Sequence, residues 1–145
     1  MQVSLREVTK GNINPVLRLK VHKNQEQFVA NNAWSIAQGT YSELAWLRAI
    51  YADDDPIGFV MLELNPAKDE YWVWRFMIDS QHQGNGYGRK ALQLIVEFVR
   101  NKTEAKELLL SYVPADGSAG PFYEKLGFVE TGKVEEGENI MKLAL

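Results

Sequence analysis

The seven residues Gln83-Gly84-Asn85-Gly86-Tyr87-Gly88-Arg89 carry the most pointed chemistry in this 145-residue chain. Glycines let backbone approach a ligand closely and take up φ values that other residues avoid. Where such a run opens a helix, the unbonded N–H groups of the first turn and the positive end of the helix dipole attract an anion such as a phosphate. Arg89 and Lys90 place positive charge at the rim, mildly unfavourable at a helix start unless an anion is bound. The run lacks the Lys-Ser/Thr ending of a nucleotide P-loop, which argues against Mg-nucleotide hydrolysis. Gly86-x-Gly88-x-x-Ala91 does satisfy the loose dinucleotide fingerprint, with Glu107 placed downstream to hold a ribose. Against a nicotinamide-dinucleotide site, Asp79 to Gln83 intervene between the preceding strand and the glycines, and the chain holds one clear strand-helix-strand crossover. A connection that merely turns the chain is the plain alternative.

Hydrophobic residues make up 46% of the chain and charged ones 24%, which suits one ordinary globular domain over residues 1–145. A chain of this length buries enough surface to fold without metal or disulfide staples. There is no cysteine, which excludes thiol catalysis and cysteine metal sites and fits a reducing compartment. Two histidines build no histidine-rich metal site, so no metal is expected. The longest strongly apolar stretch, Ile57 to Leu62, falls far short of the roughly 20 residues that span a bilayer. The N-terminus alternates like a strand and lacks the apolar block of a signal peptide, so a cytoplasmic protein with no membrane partner is expected. With 16 Lys plus Arg against 19 Asp plus Glu the net charge is −3, which favours a small neutral or cationic partner over nucleic acid.

The elements that must position the glycine run follow from periodicity. Val3 to Val8 alternates as a half-buried strand; helices are predicted over Pro15 to Val21 and Glu26 to Ala37, the second stopped by Gly39. Leu44 to Ala52 and Ile57 to Leu64 read as a hairpin around Asp53-Asp54-Asp55-Pro56. Tyr71 to Ile78, rich in aromatic and branched residues, reads as a central strand. Gly86 to Asn101 is the longest helix, and it returns the chain to Leu108 to Val113, a strand parallel to the Tyr71 strand. Ser118 to Leu126 is a helix ended by Gly127, and two strands around a Glu135 to Glu138 turn close the chain. The sum is a mixed α/β sheet rather than a doubly wound one.

In these elements the glycine run resembles the pyrophosphate loop of the Gcn5-related N-acetyltransferase (GNAT) family, Gln/Arg-x-x-Gly-x-Gly/Ala, through Gln83, Gly86 and Gly88. A second family signature is matched by Phe122-Tyr123-Glu124-Lys125-Leu126-Gly127-Phe128. The resemblance implies a mostly antiparallel twisted sheet whose central parallel strands splay around acetyl-CoA. It implies that backbone of Phe76, Met77 and Ile78 pairs with the pantetheine arm, and that the N–H groups of Gln83, Gly84, Asn85, Gly86, Tyr87, Gly88 and Arg89 hold the pyrophosphate. Asp116 stands where the family usually has a cofactor-binding Asn; an Asp accepts but does not donate. Lys125 is implied as a phosphate contact. Tyr123 is implied as general acid, since a phenol of reference pKa about 10 can protonate the departing thiolate. The N–H of Phe76 is the implied donor that polarises the thioester carbonyl. A homodimer is the implied assembly.

The acceptor side is marked less strongly. Asn24 to Ala30, Ser35 to Gln38, and Trp74 to Asp79 are similar to bacterial diamine and spermine/spermidine acetyltransferases. A polyamine acceptor would need carboxylates and aromatic faces, for which Trp34, Trp46, Trp72 and Trp74 are candidates alongside a packing role. Many relatives have a Glu base where this chain aligns Trp72, which leaves Glu63, Glu70 and Glu43 as bases acting through water. The acidic runs Asp53 to Asp55 and Glu135 to Glu138 could attract cations, but both sit at predicted hairpin turns where such residues are common, and the turn reading is favoured. The expectation is acetyl transfer from acetyl-CoA to a small polyamine. The alternatives are a protein N-terminus, peptide or amino sugar as acceptor, or a non-catalytic acyl-CoA-binding module.

Overall fold

The computed structural model describes every residue from Met1 to Leu145. In chain order the elements are β1 (Val3–Arg6), α1 (Ile13–Arg18), α2 (Asn32–Thr40), β2 (Ala45–Ala52), β3 (Asp55–Asn65), β4 (Glu70–Ile78), α3 (Tyr87–Lys102), β5 (Glu107–Tyr112), α4 (Gly120–Lys125), β6 (Val129–Glu135) and β7 (Glu138–Ala144). Short 3₁₀ turns lie at Lys23–Gln25 and Ser80–His82. The strands make one seven-stranded sheet in the order β1-β2-β3-β4-β5-β7-β6. Every neighbouring pair is antiparallel except β4–β5, the pair that the α3 crossover makes parallel. The mixed sheet with one central parallel pair is therefore present as expected.

Period-two alternation along the strands sorts the core into two layers. Ile50, Val60, Leu62, Tyr71 and Val73 pack under Ala91, Leu92, Ile95 and Val99 of α3 and Tyr123 of α4. Ala49, Tyr51, Phe59 and Met61 face the other way, toward Val16 of α1 and Ile36 of α2. One strand breaks the phase. In β4 the pairing runs Leu62↔Val73 and then Met61↔Arg75, so Trp74 is an extra residue with no partner on β3. This β-bulge shifts the alternation by one: Tyr71 and Val73 face α3, and beyond the bulge so do Phe76 and Ile78.

Two helix predictions are corrected. The Glu26 to Ala37 helix begins only at Asn32, because the Asn31 side chain accepts the Trp34 N–H at 2.8 Å and caps the helix there. Residues 26–28 are a turn and Val29 a bend, so Phe28 and Val29 do not share a helical face with Ile36. Gly39 does not stop this helix but sits inside it, buried against the sheet; a Cβ there would meet Met61 Sδ at 2.8 Å. The first helix spans Ile13–Arg18, two residues earlier than Pro15 and short of Val21.

Candidate active site

The parallel pair β4–β5 is joined at only two positions, Trp72↔Leu109 and Val73↔Leu110. Past the bulge β4 stays with β3 while β5 stays with β7, so the two strands part and leave the β4 edge open from Trp74 to Ile78. The Asp79 N–H donates to Ile57 C=O at 2.7 Å, which fixes the alternation. Met77 likewise turns its backbone toward β3, its carbonyl beside Gly58. Phe76 and Ile78 therefore direct their N–H groups to the open edge. Of the three residues named for backbone pairing with a cofactor arm, two present donors to the gap and Met77 does not.

At the end of that gap lies the glycine run. None of the backbone N–H groups of Gln83 to Arg89 donates within the protein; the first helical bond of α3 from outside it is Lys90 N–H to Gly86 C=O at 3.2 Å. Gly84 and Gly86 hold φ of +82° and +79°, with open space where a Cβ would stand. Left-handed backbone at these positions turns successive N–H groups toward one concavity, the arrangement that binds anions. Gly88 has a different task, since a Cβ there would press on Phe122 at 3.3 Å. The Gln83 side chain is not free for a ligand: its Nε2 donates to Ile78 C=O at 2.9 Å and to Gln25 Oε1 at 3.0 Å. Glu107 starts β5 after the 16-residue α3, at the opposite end of the helix from the glycines. At 1.5 Å per residue that is roughly 24 Å, too far for the ribose contact of a dinucleotide site.

Tyr123 lies across the gap on α4. The six-residue helix ends in a Schellman motif, with Phe128 N–H bonded to Tyr123 C=O at 3.1 Å and Gly127 at φ +100°. Edge-on contacts with Phe122 at 5.3 Å and Phe128 at 5.8 Å hold the ring. The residue is 7% exposed and lines the cleft. Burial alone pushes its phenol well above the ordinary range, with no hydrogen bond or charge contributing. It stays a neutral proton donor through the physiological range. Asp116, in the exposed turn after β5, and Lys125, exposed at the end of α4, line no part of the cleft.

The cleft itself, about 730 Å³, opens between the parted strands. Five glutamates line it, Glu26, Glu63, Glu135, Glu136 and Glu138, against a single cation, Arg75. Trp72 and Trp74 form part of its wall. Trp46 does not; it stacks on Phe98 at 4.3 Å between rings, and Trp34 stands exposed on α2. Of the three carboxylates considered as bases, Glu63 lines the cleft and Glu43 and Glu70 do not. The hairpin glutamates do form a turn, with Glu136 at φ +50° and Gly137 at +79°, but that turn also hangs over the cleft.

Arg75 lies in the Trp74 to Asp79 stretch that resembles polyamine acetyltransferases, but the sequence assigns it no role of its own. The bulge beside it aims it into the cleft, where Nη1 donates to Trp74 C=O at 3.0 Å and Nη2 to Gln38 Oε1 at 2.9 Å. Its Nε–H is buried without an acceptor. Burial lowers its pKa and the field of Glu138 opposes that shift. Neither Arg75 nor the hairpin glutamates carry a local motif; only the β5–β7–β6 pairing brings them together.

The chain matches the family model described as "Acetyltransferase (GNAT) family" over residues 16–128. It is 27% identical over 148 residues to a spermine/spermidine N(1)-acetyltransferase of Bacillus subtilis (strain 168), covering 97% of each chain. Its fold is similar to the PaiA N-acetyltransferase of Thermoplasma acidophilum, solved in complex with coenzyme A, at TM-score 0.77 and 15% identity over 100% of both chains. It is also similar to the ribosomal-protein-S18-alanine N-acetyltransferase of Escherichia coli, at TM-score 0.73 and 16% identity over 99% of this chain and 94% of that one. With a family match that spans both the glycine run and Tyr123, on a sheet that parts where a cofactor arm would enter, this chain belongs to the GNAT acetyltransferase family.

Proposed function

We propose that this protein transfers an acetyl group from acetyl-CoA directly to a primary amine of a small polyamine. The observation that carries the acceptor class is the cleft wall, where five glutamates face one arginine beside Tyr123. A cleft lined mostly by one sign of charge concentrates counter-ions, here ammonium groups. The relationship to the B. subtilis enzyme supports the same class.

In this reading the diphosphate of acetyl-CoA is held by the N–H groups of Gln83 to Arg89, and the pantetheine arm lies along the open β4 edge against Phe76 and Ile78. The Phe76 N–H faces the thioester carbonyl and stabilises the oxyanion that develops there. The acceptor is an ammonium of pKa about 10 in solution and must first lose a proton. Glu63, through a water, takes that proton. The amine nitrogen then bonds to the carbonyl carbon and gives up its second proton to water, the C–S bond breaks, and Tyr123 gives its proton to the departing thiolate. The phenolate is then reprotonated from solvent. Asp116 and Lys125 have no part in this account.

One observation favours a second reading. The Arg75 Nε–H, buried in the cleft without an acceptor, would suit the carbonyl or carboxylate of a peptide acceptor. A panel of spermine, spermidine, putrescine, an N-terminal peptide and an amino sugar, each with acetyl-CoA and scored by released thiol, decides between them. Turnover on the polyamines is expected. Thiol release confined to the peptide would refute the polyamine assignment, and cofactor binding with no transfer to any amine would make the protein an acyl-CoA-binding module.

A further inference from the structure

The segment that supplies Glu26 to the cleft is stitched to the segment that leads into the glycine run. Lys20 N–H donates to Asp79 Oδ1 at 2.9 Å, and Ser80 N–H to Lys20 C=O at 2.7 Å. The stitch that reaches the glycine run itself is a reciprocal amide pair across 58 positions of sequence. Gln83 Nε2 donates to Gln25 Oε1 at 3.0 Å, and Gln25 Nε2 donates to Gln83 Oε1 at 3.3 Å. Neither amide is free to turn. Gln25 Oε1 also accepts the His22 N–H at 3.0 Å, and Gln83 Nε2 also donates to the Ile78 carbonyl on the open β4 edge at 2.9 Å. Gln25 is the last residue of its 3₁₀ turn, and residues 26–30 immediately after it line the cleft.

We infer that the Gln25–Gln83 pair is a positioning device that couples the two substrate sites, so that cofactor bound at the glycine run tightens binding of the amine in the cleft. The inference rests on the reading that Gln83 to Arg89 hold a diphosphate and that the cleft takes an amine. Its physical basis is that the run has seven backbone donors without protein acceptors and two left-handed glycines in open space. Such a loop loses conformational freedom when an anion fixes it. Gln83 is its first residue, so that order passes through the amide pair to the 26–30 wall. A ligand that finds the wall already ordered binds more tightly, and by linkage the effect is reciprocal. Gln25 itself touches neither substrate in this scheme.

The test is calorimetry of coenzyme A binding with and without saturating spermidine, on wild type, Gln25→Met and Gln25→Ala. Methionine keeps the length of the side chain and removes both hydrogen bonds to Gln83 together with the one accepted from His22 N–H; alanine removes them without a hydrophobic replacement. In wild type, spermidine is expected to tighten coenzyme A by about fivefold or more, the lower end of usual site–site coupling. Both variants are expected to bind coenzyme A alone within about twofold of wild type while losing most of that tightening. The same variants are expected to raise the KM for spermidine with little change in kcat. Wild-type turnover with spermidine is the control for the underlying reading, and no thiol release overturns that reading and this inference with it. Turnover without coupling in wild type, or coupling that survives in either variant, overturns the inference alone.

Discussion

Tyr123→Phe removes one oxygen and leaves the aromatic contacts of the ring with Phe122 and Phe128 in place. The hydroxyl has no partner in the protein, so no donor or acceptor is orphaned by its loss. Stability is expected to change by less than about 1 kcal/mol, the net worth of an ordinary hydrogen bond that here is not made. The chemistry should change far more. A positioned general acid contributes about 10²–10⁴ in rate, so kcat is expected to fall at least a hundredfold. That is about 2.7 kcal/mol of barrier at 1.36 kcal/mol per tenfold. Initial rates of thiol release, calorimetry with coenzyme A and a thermal melt together separate the three effects. Cofactor affinity should stay within about twofold, because the phenol acts on the leaving group and not on the bound ground state. A variant with kcat within about threefold of wild type would refute the role of Tyr123 as acid. So would a loss of turnover that merely follows a loss of folding.

Further outcomes follow from the same geometry. Gly86→Ala meets no steric obstacle but must hold φ +79°, at a cost of about 1–2 kcal/mol. It should weaken coenzyme A binding roughly tenfold if the loop relaxes out of its binding shape. Gly132→Ala, at φ +82° in equally open space on β6, should lose similar stability in a melt with no effect on coenzyme A. Replacing Glu135, Glu136 and Glu138 together by Gln should raise the KM for spermine and flatten its salt dependence, with little effect on a monoamine; an unchanged KM would remove the hairpin from acceptor binding. Burial raises the Tyr123 pKa above its unfolded value of about 10. Its linkage contribution to stability is therefore fully present below about pH 10 and is lost as pH rises beyond it. Tyr123→Phe should show a shallower alkaline decline in denaturant titrations than wild type, and identical slopes would contradict the burial argument.

Much of the fold was legible because its signals are local. The hairpin around Asp53–Asp55, the aromatic-rich β4 and the amphipathic α3 each announce themselves within about a dozen residues. The helix placed over Glu26 to Ala37 went wrong because Phe28, Val29, Ala33 and Ile36 have helical spacing, yet Asn31 caps a helix that starts after the first two. Gly39 was read as a stop because composition does not reveal that Met61 of β3 leaves no room for a Cβ. The glycine run and Tyr123 were visible as types and spacing. The bulge at Trp74 was not, although it turns Phe76 inward and sends Arg75 into the cleft.

The amino-acid sequence on its own determined which residues could bind an anion and donate a proton, because backbone freedom at glycine and the acidity of a phenol are properties of the residues themselves. Where those groups meet was settled only in three dimensions. The parting of β4 from β5, the amide pair between Gln25 and Gln83, and the glutamates of the β6–β7 turn above Arg75 all join positions far apart along the chain. Such contacts depend on strand order and register, and those emerge when the whole sheet closes its hydrogen bonds over two apolar layers, not from any short stretch of residues.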